Sequence, residues 1–148
     1  MLLLVFTLDD RNCALELSMV EKVYRAVAIT PLPRAPDIVL GIVNVKGVVL
    51  PVVDIRRRFR LPEKKLTPDH QLIVAQAAGR RLVVLVDHVA GVIECAPKAV
   101  TETGNIVPGI EHVAGVARLE DGIILIHDLK RFLSLEEAAA LDRALQLD

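Results

Sequence analysis

The stretch GIVNVKGVVLPVVD at Gly41–Asp54 gives the strongest indication of the fold, because its pattern occurs again 74 residues later. The second stretch is GVARLEDGIILIHD at Gly115–Asp128, and both have the order glycine, apolar run, turn, apolar run, aspartate. Each aspartate is followed by an apolar residue and then a basic pair. A shorter repeat, at an offset of 69 residues, aligns Leu17–Val23 with Val86–Val92.

These two repeats predict two similar β-units of about 70 residues each. Units of that size bury only about 60% of their surface when they are alone, so we expect them to pack on each other across a shared apolar seam. The alternative is that apolar hairpins ending in an aspartate align by chance. Two repeats in the same order over most of the chain favour the first interpretation.

Short apolar runs rich in valine and isoleucine recur along the chain, which is typical of β-strands. We predict strands at Leu2–Leu8, Cys13–Leu17, Ile38–Val45, Val48–Val53, Leu72–Ala75, Leu82–Val86 and Ile123–Ile126. Residues typical of turns, including glycines that tolerate a positive φ, lie between several of these strands. They predict hairpin turns at residues 9–12 and 77–80, at Lys46–Gly47 and at Asp121–Gly122. The sequence therefore predicts a mostly β fold.

Two helical segments are predicted beside the strands. Ser134 and Glu137 have the spacing of a capping box, in which a hydroxyl and a carboxylate three residues later cap the start of a helix. Leu141 and Leu145 then fall on one face, which predicts a C-terminal helix over residues 135–146. A shorter helical turn is predicted at residues 55–59.

The composition is that of a folded chain without a strong overall charge. The chain has 148 residues, of which 53% are apolar and 25% charged, and its formal net charge is -1. This apolar fraction excludes a disordered chain, and the near-neutral charge gives no general attraction to nucleic acid or anionic lipid. Cys13 and Cys95 make no disulfide framework, and neither a signal peptide nor a membrane span is present. We therefore expect a cytoplasmic protein that does not insert into a membrane.

The candidate catalytic groups are three aspartates at the ends of apolar runs, Asp54, Asp87 and Asp128. Such an aspartate can be a general acid or base, but more often it caps the next turn by accepting backbone N–H bonds, and we favour capping. The histidines form no ligand pair at helical spacing, and no serine lies in a GxSxG motif. We therefore expect no enzyme activity, no metal and no cofactor.

The one charge cluster is basic and consists of Arg56–Arg60 with Lys64 and Lys65. Three interpretations are open: a solvated face, a docking surface for an acidic protein, or a site for RNA or DNA. Nucleic-acid binding favours aromatic side chains beside the basic residues, and the whole chain has three phenylalanines, one tyrosine and no tryptophan. The solvated face is the preferred interpretation.

Five stretches and the helix after them follow one order: FTL at Phe6–Leu8, ITPLPRAP at Ile29–Pro36, GIVNVKGVVLPVVDIRRRF at Gly41–Phe59, VVLVDHV at Val83–Val89 and GVARLEDGIILIHDLKRFL at Gly115–Leu133. In this order they resemble the CheW-type chemotaxis adaptors over nearly the whole chain. The most specific part is the central block of glycine, strand, NxKG, strand and PVVD. The resemblance implies two small five-stranded SH3-like β-barrels on a shared apolar core, in a single domain over residues 1–148 that ends in the C-terminal helix.

The resemblance also implies a role without catalysis. CheW-like adaptors couple the cytoplasmic tips of methyl-accepting chemoreceptors to the regulatory domain of a CheA-type histidine kinase. It therefore implies these two partners, with no nucleic acid, and recruitment to membrane-associated receptor arrays. The alternative function is that of an SH3-like barrel protein that binds nucleic acid or another protein through Arg56–Arg60.

Matching the family's motifs to this chain gives two groups of functional residues: receptor-binding Val20, Gly41, Lys46 and Val92, and kinase-binding Asn44, Asp54 and Arg56. Core packing is the alternative role for Val20 and Val92. Lys46 stands where the family usually has arginine. Lysine keeps the positive charge but loses the planar fork with which arginine binds a carboxylate at two points.

Overall fold

The computed structural model of the chain describes residues 1–58, 61–77, 79–102, 113–120 and 122–146. The strands in chain order are β1 Leu2–Leu8, β2 Arg11–Glu16, β3 Val20–Arg25, β4 Val39–Val45, β5 Val48–Asp54, β6 Gln71–Ala77, β7 Arg80–Val86, β8 His88–Glu94, β9 Val100–Glu102, β10 Val113–Leu119 and β11 Gly122–His127. The helices are α1 Ile55–Arg58 and α2 Leu135–Gln146, with short 3-10 turns at Leu17–Met19, Pro97–Ala99 and Leu129–Arg131. Within these residues, no helix is both long and apolar enough to cross a membrane.

The strands form two sheets, which confirms the mostly β fold predicted from the sequence. One sheet has six strands in the order β8-β1-β2-β11-β10-β9, and the other has five in the order β3-β6-β7-β5-β4. Neighbouring strands are antiparallel except for two parallel pairs, β11 with β2 and β5 with β7. The first sheet thus has one strand more than the five that were predicted, because β9 pairs with β10.

The two sheets have matching strand orders. β10 and β11 take the places in the first sheet that β4 and β5 take in the second, which is the correspondence given by the 74-residue offset. β8 and β3 likewise lie at matching edges, as the 69-residue offset requires. Both sequence repeats therefore fall on corresponding strands. By this second offset Val20 corresponds to Val89, and Val23 to Val92.

Both sheets pack on one shared apolar cluster, as expected from the sequence. The cluster holds Phe6, Cys13 and Leu15 from the first sheet, Val53, Ile73 and Val84 from the second, and Leu141 and Ala144 from α2. Each sheet also has a smaller cluster of its own, one around Leu3 and Val5 and one around Leu72 and Val74. Alternate side chains of β1, β6 and β7 point into the shared cluster and into the sheet's own cluster.

The predicted helices are confirmed. The C-terminal helix spans Leu135–Gln146, and its capping box is formed: the Glu137 N–H donates to Ser134 Oγ at 3.0 Å, and the Ser134 N–H donates to Glu137 Oε1 at 2.9 Å. The helical turn after β5 spans Ile55–Arg58, and Phe59 lies outside the described residues.

The predicted strands and hairpin turns are also present, although Ala78 and Asp121, which belong to two of the turns, are outside the described part of the chain. Four strands are absent from the predicted runs, namely β3, β8, β9 and β10, although β10 falls in the first apolar run of the repeat at Gly115–Asp128. β3 and β8 are edge strands with half-buried or exposed side chains, and β9 has three residues. Such strands lack the continuous apolar run by which the others were found.

Gly41 is required by a close approach of the backbone. A Cβ atom on Gly41 would lie 2.2 Å from the carbonyl oxygen of Thr30, which pairs with Ile42 in an isolated bridge. At the corresponding Gly115 the nearest atom is a side-chain methyl of Val100 at 2.9 Å, which can move.

We therefore predict that Gly41→Ala destabilises the protein by about 1–3 kcal/mol, the usual cost of overpacking. Gly115→Ala, the matched control, should cost less, because its nearest contact is a side-chain methyl and its nearest backbone atom, the carbonyl oxygen of Thr101, is 3.1 Å away rather than 2.2 Å. Urea unfolding followed by circular dichroism measures both. Equal losses in the two variants would contradict this explanation.

Candidate functional site

The turn that carries Lys46 is built by its own residues. Lys46 and Gly47 have φ values of 50° and 85°, and the Gly47 N–H donates to Asn44 Oδ1 at 2.8 Å. Two positive φ values suit a two-residue hairpin, whose twist matches that of β4 and β5. The turn holds the exposed Lys46 at the tip of this hairpin.

A cavity of about 330 Å³ opens beside this turn, and we call it the Lys46 cavity. It is lined by residues of the five-stranded sheet and its edge, including Tyr24, Val27, Asn44, Val45 and Lys46. Asn44 and Lys46, which the sequence assigned to different partners, therefore lie on one surface. Its walls are mainly apolar and Lys46 places a positive charge at it.

A second cavity, of about 250 Å³, lies on the six-stranded sheet, and we call it the Val92 cavity. Its lining includes Val5, Val92, Leu119 and Ile123. Leu119 and Val45 are aligned by the 74-residue offset and each lines the cavity of its own sheet, so the two cavities lie at corresponding ends. Val92 and Ile123 are large exposed apolar residues, 51% and 58% accessible, of the kind that marks contact surfaces.

The other two receptor-binding candidates lie deeper. Val20, the first residue of β3, is half-buried and packs against the shared cluster. Gly41 is buried against Thr30. Among the four receptor-binding candidates, Lys46 and Val92 therefore line separate cavities, and Val20 and Gly41 line neither.

Asp54 and Asp128 cap the turns that follow them, as favoured from the sequence. Asp54 Oδ1 accepts the N–H of Arg56 at 3.0 Å, and Asp128 Oδ1 accepts the N–H of Lys130 at 3.0 Å. The same cap thus recurs at corresponding places in the two repeats. Asp54 is buried, and desolvation raises the pKa of its carboxyl group.

Arg56 has its guanidinium inside the protein. The residue is 4% exposed. Its Nη1 and Nη2 atoms donate to the two carboxylate oxygens of Asp9, at 2.7 and 3.0 Å. Nη2 also donates to the carboxylate of Asp87 at 2.6 Å. The Asp9 N–H donates to Asp87 Oδ2 at 2.7 Å, and Lys64 Nζ lies 3.1 Å from the same oxygen. We call these four residues, Asp9, Arg56, Lys64 and Asp87, the ion cluster.

The ion cluster shifts the titration of its own members. The hydrogen bond from Arg56 lowers the pKa of Asp9. For Asp87 burial acts in the opposite direction, but the hydrogen bonds from Arg56, the Asp9 N–H and Lys64 outweigh it and lower its pKa. Burial also opposes the charge of Arg56, yet its bonds to Asp9 and Asp87 hold its pKa above the ordinary value. Asp9, Arg56 and Asp87 are therefore charged at neutral pH.

The other described arginines of the basic stretch also bind groups of their own chain. Arg57 donates to the carbonyl oxygen of Asp37, and Arg58 donates to Glu137 and to the carbonyl oxygen of Phe132. Arg60 lies outside the described residues. The guanidinium groups of Arg56, Arg57 and Arg58 thus serve intramolecular contacts rather than a common phosphate-binding face.

The histidines are dispersed in the structure as in the sequence. His70 is buried; its Nδ1 accepts the Thr67 N–H at 3.2 Å, and its Nε2 lies 3.6 Å from Asp87 Oδ1. His127 packs against the rings of Phe6 and Phe132. His88 is exposed, and His112 is outside the described residues. Among the residues that the structure describes, no group of three or more histidine, cysteine, aspartate or glutamate side chains is placed to hold a metal ion.

Two corresponding sheets on one core, each with a cavity at the same end, define a mainly β protein whose open surfaces suit contacts with other proteins. The CheW-like domain family matches residues 2–138. The chain belongs to the CheW-like family.

The chain is similar to named members of that family. It is 30% identical to the chemotaxis protein CheW of Rhizobium meliloti (strain 1021) over 140 residues, which cover 93% of this chain and 90% of that protein. It is 24% identical to the chemotaxis protein CheW of Bacillus subtilis (strain 168) over 151 residues, which cover 96% and 94%. The structure resembles the crystal structure of the scaffolding protein TtCheW from Thermoanaerobacter tengcongensis, with a TM-score of 0.84, 26% identity and coverage of 92% of this chain and 94% of that one.

The ion cluster predicts how stability depends on pH. The pKa values of Asp9 and Asp87 are lower in the folded chain than in the unfolded chain. Their contribution to the free energy of unfolding is therefore complete at any pH above the unfolded pKa, and it is lost as the pH falls through the folded pKa. Asp54 has a raised pKa and acts with the opposite sign, so its contribution is lost as the pH rises.

We predict that Asp9→Asn flattens the fall in the free energy of unfolding between about pH 5 and pH 2. Asparagine tolerates the positive φ of 53° at this turn, so the backbone is kept. Asp10→Asn, an exposed neighbour in the same turn, is the control and should leave the slope unchanged. Denaturant titrations at a series of pH values give the slopes, and an unaltered slope in Asp9→Asn would refute the assignment.

Proposed function

We propose that the chain is an adaptor that couples methyl-accepting chemoreceptors to a CheA-type histidine kinase at membrane-associated receptor arrays. The observation that supports this most is the pair of cavities at corresponding ends of the two sheets, each with apolar side chains in its lining, in a chain of the CheW-like family. Two separate surfaces on one rigid core allow two partners to be held at the same time. No chemical step is needed for such a role.

For the receptor, we propose contact through the Val92 cavity. The tip of a chemoreceptor is a helical hairpin, and a helix that lies in a groove is held mainly by apolar anchors. Val92, Leu119 and Ile123 offer such anchors on the six-stranded sheet. We propose that Val20 and Gly41 support this binding from inside, through the edge strand β3 and the close packing of β4.

For the regulatory domain of the kinase, we propose contact at the Lys46 cavity. Asn44 is the exposed member of the kinase-binding group and fixes the turn, whereas the Asp54 and Arg56 side chains face inward and act indirectly. Lys46, assigned to the receptor, lines the same cavity. We propose that receptor and kinase meet at this surface, with Lys46 between them.

The receptor contact is tested by Val92→Asp. Burying a new carboxylate against apolar anchors is costly, so we predict that affinity for the cytoplasmic hairpin of a receptor from the same source falls at least about tenfold. Leu135→Asp is the control, because Leu135 is also a large exposed apolar residue but lies in α2 and lines neither cavity. Isothermal titration gives the affinities, and thermal melting shows whether both variants fold.

Equal affinities for the hairpin in Val92→Asp and Leu135→Asp would reject the Val92 cavity as the receptor site. Failure of the wild-type chain to bind either the hairpin or the regulatory domain would reject the adaptor function itself.

The charge of Lys46 gives a separate prediction. Lys46→Glu should weaken binding to the partner at this cavity, whereas Lys46→Arg should keep or strengthen it, because arginine restores the fork that binds a carboxylate at two points. Lys98→Glu, an exposed lysine at the turn before β9, controls for the change in net charge. The affinities of the variants for the regulatory domain and the hairpin are compared at one ionic strength. A loss in Lys98→Glu as large as that in Lys46→Glu would show a general charge effect instead.

A further inference from the structure

The ion cluster joins the two sheets. Asp9 lies in the turn between β1 and β2 of the six-stranded sheet, and Arg56 lies in α1, directly after β5 of the five-stranded sheet. Asp87 is the single residue between β7 and β8, where the chain crosses from the second sheet back to the first. Arg56 therefore binds one carboxylate from the other sheet and one from the crossover.

The start of β8 is tied to the opposite sheet by a further bond. The Val89 N–H donates to Oε1 of Gln71, which belongs to β6, at 2.6 Å, and the Asp87 N–H donates to the carbonyl oxygen of Thr7 at 3.1 Å. Val89 itself packs against the shared cluster. The edge strand that carries Val92 thus begins at a point held to both sheets.

The corresponding crossover, at Leu17–Met19, is held differently. By the 69-residue offset, Ser18 in this crossover corresponds to Asp87. By the 74-residue offset, Lys130 corresponds to Arg56. The side chains of Ser18 and Lys130 are both exposed. Leu17 and Met19 instead pack against the shared cluster. Within the described residues, the crossover at Leu17–Met19 is thus packed on the shared cluster, whereas the crossover at Asp87 is joined to α1 by ion pairs. A separate polar contact, from Arg58 of α1 to Glu137 and the carbonyl oxygen of Phe132, joins α1 to the segment after β11.

We propose that the ion cluster is a latch that fixes the angle between the two sheets, with Arg56 as a positioning residue for a partner that contacts both sheets at once. The bonds from the buried Arg56 guanidinium to Asp9 and Asp87 are directional, whereas the hydrophobic effect is non-directional. Removing the guanidinium takes away the buried partner of both carboxylates and leaves only the more exposed Lys64 of the ion cluster beside them, so the seam opens at this side first. The identity of the partner, a receptor hairpin, rests on the proposed function, but the latch itself does not.

The two cysteines report on opening of the seam. Cys13 is fully buried in the shared cluster between the sheets, and burial raises its pKa to about 12, so it reacts only when the seam opens. Cys95 is also buried but belongs to the six-stranded sheet's own cluster. A change that separates the sheets without unfolding them exposes Cys13 and leaves Cys95 protected.

In the test, the 148-residue chain with Arg56→Met is treated with a thiol reagent under native conditions, and the labelled peptides are measured by mass spectrometry. We expect Cys13 to be labelled at least about tenfold faster than in the wild type, with Cys95 changed much less. Lys130→Met, the same substitution at the corresponding exposed position, should leave both rates unchanged. Arg56→Lys should give an intermediate rate, since lysine keeps the charge without the fork.

Two outcomes would overturn the latch: unchanged labelling of Cys13, or equal acceleration of Cys13 and Cys95, which indicates global unfolding. If Arg56→Met does not fold, Asp9→Asn is used instead, since it removes the charge of one carboxylate that Arg56 binds. Asp10→Asn is its control, and the labelling rates of Cys13 and Cys95 are compared in the same way. Asp9→Asn is expected to accelerate Cys13 selectively.

The binding test separates this proposal from the proposed function. With the latch removed, affinity for a receptor hairpin that spans both sheets should fall about fivefold or more, and affinity for the regulatory domain, to which Arg56 contributes only indirectly, should fall clearly less. Equal losses for both partners would refute the positioning role. Absence of binding by the wild type would count against the adaptor function only, because the thiol rates still decide the latch.

Discussion

The structure depends on a core that neither sheet completes alone. Among the described residues, twenty buried residues form the shared cluster, while the clusters belonging to the individual sheets have seven each. Sheets of this size bury too little apolar surface by themselves, so each is stable mainly as one face of the common core. The relative placement of the sheets is therefore part of the fold, and the surfaces carried by both sheets are positioned by it.

Burial on both faces also explains which strands were predictable. In β6, Leu72 and Val74 face the sheet's own cluster, while Ile73 and Ala75 face the shared one, so the sequence has an unbroken apolar run. The edge strands β3 and β8 have half-buried and exposed residues, and their sequences include charged residues and a glycine. A one-sided strand of this kind leaves a weak pattern, although the 69-residue repeat does cover most of both.

The site was predictable where it depends on local chemistry. The Asn44–Gly47 turn and the caps by Asp54 and Asp128 join residues two or three positions apart, within reach of sequence rules. The ion cluster was not predictable, because Arg56 is separated from Asp9 by 47 residues and from Asp87 by 31. In the sequence Arg56 belongs to a basic run typical of a solvated face, and only the packing of the two sheets turns it inward.

The most direct test of the account is hydrogen–deuterium exchange of the wild-type chain, alone and with each partner. A receptor hairpin should protect β8, at residues 88–94, and the kinase regulatory domain should protect the hairpin turn of β4 and β5, around residues 44–49. Protection confined to other segments, such as α2 at residues 135–146, would contradict the placement of the two binding surfaces at corresponding ends of the two sheets.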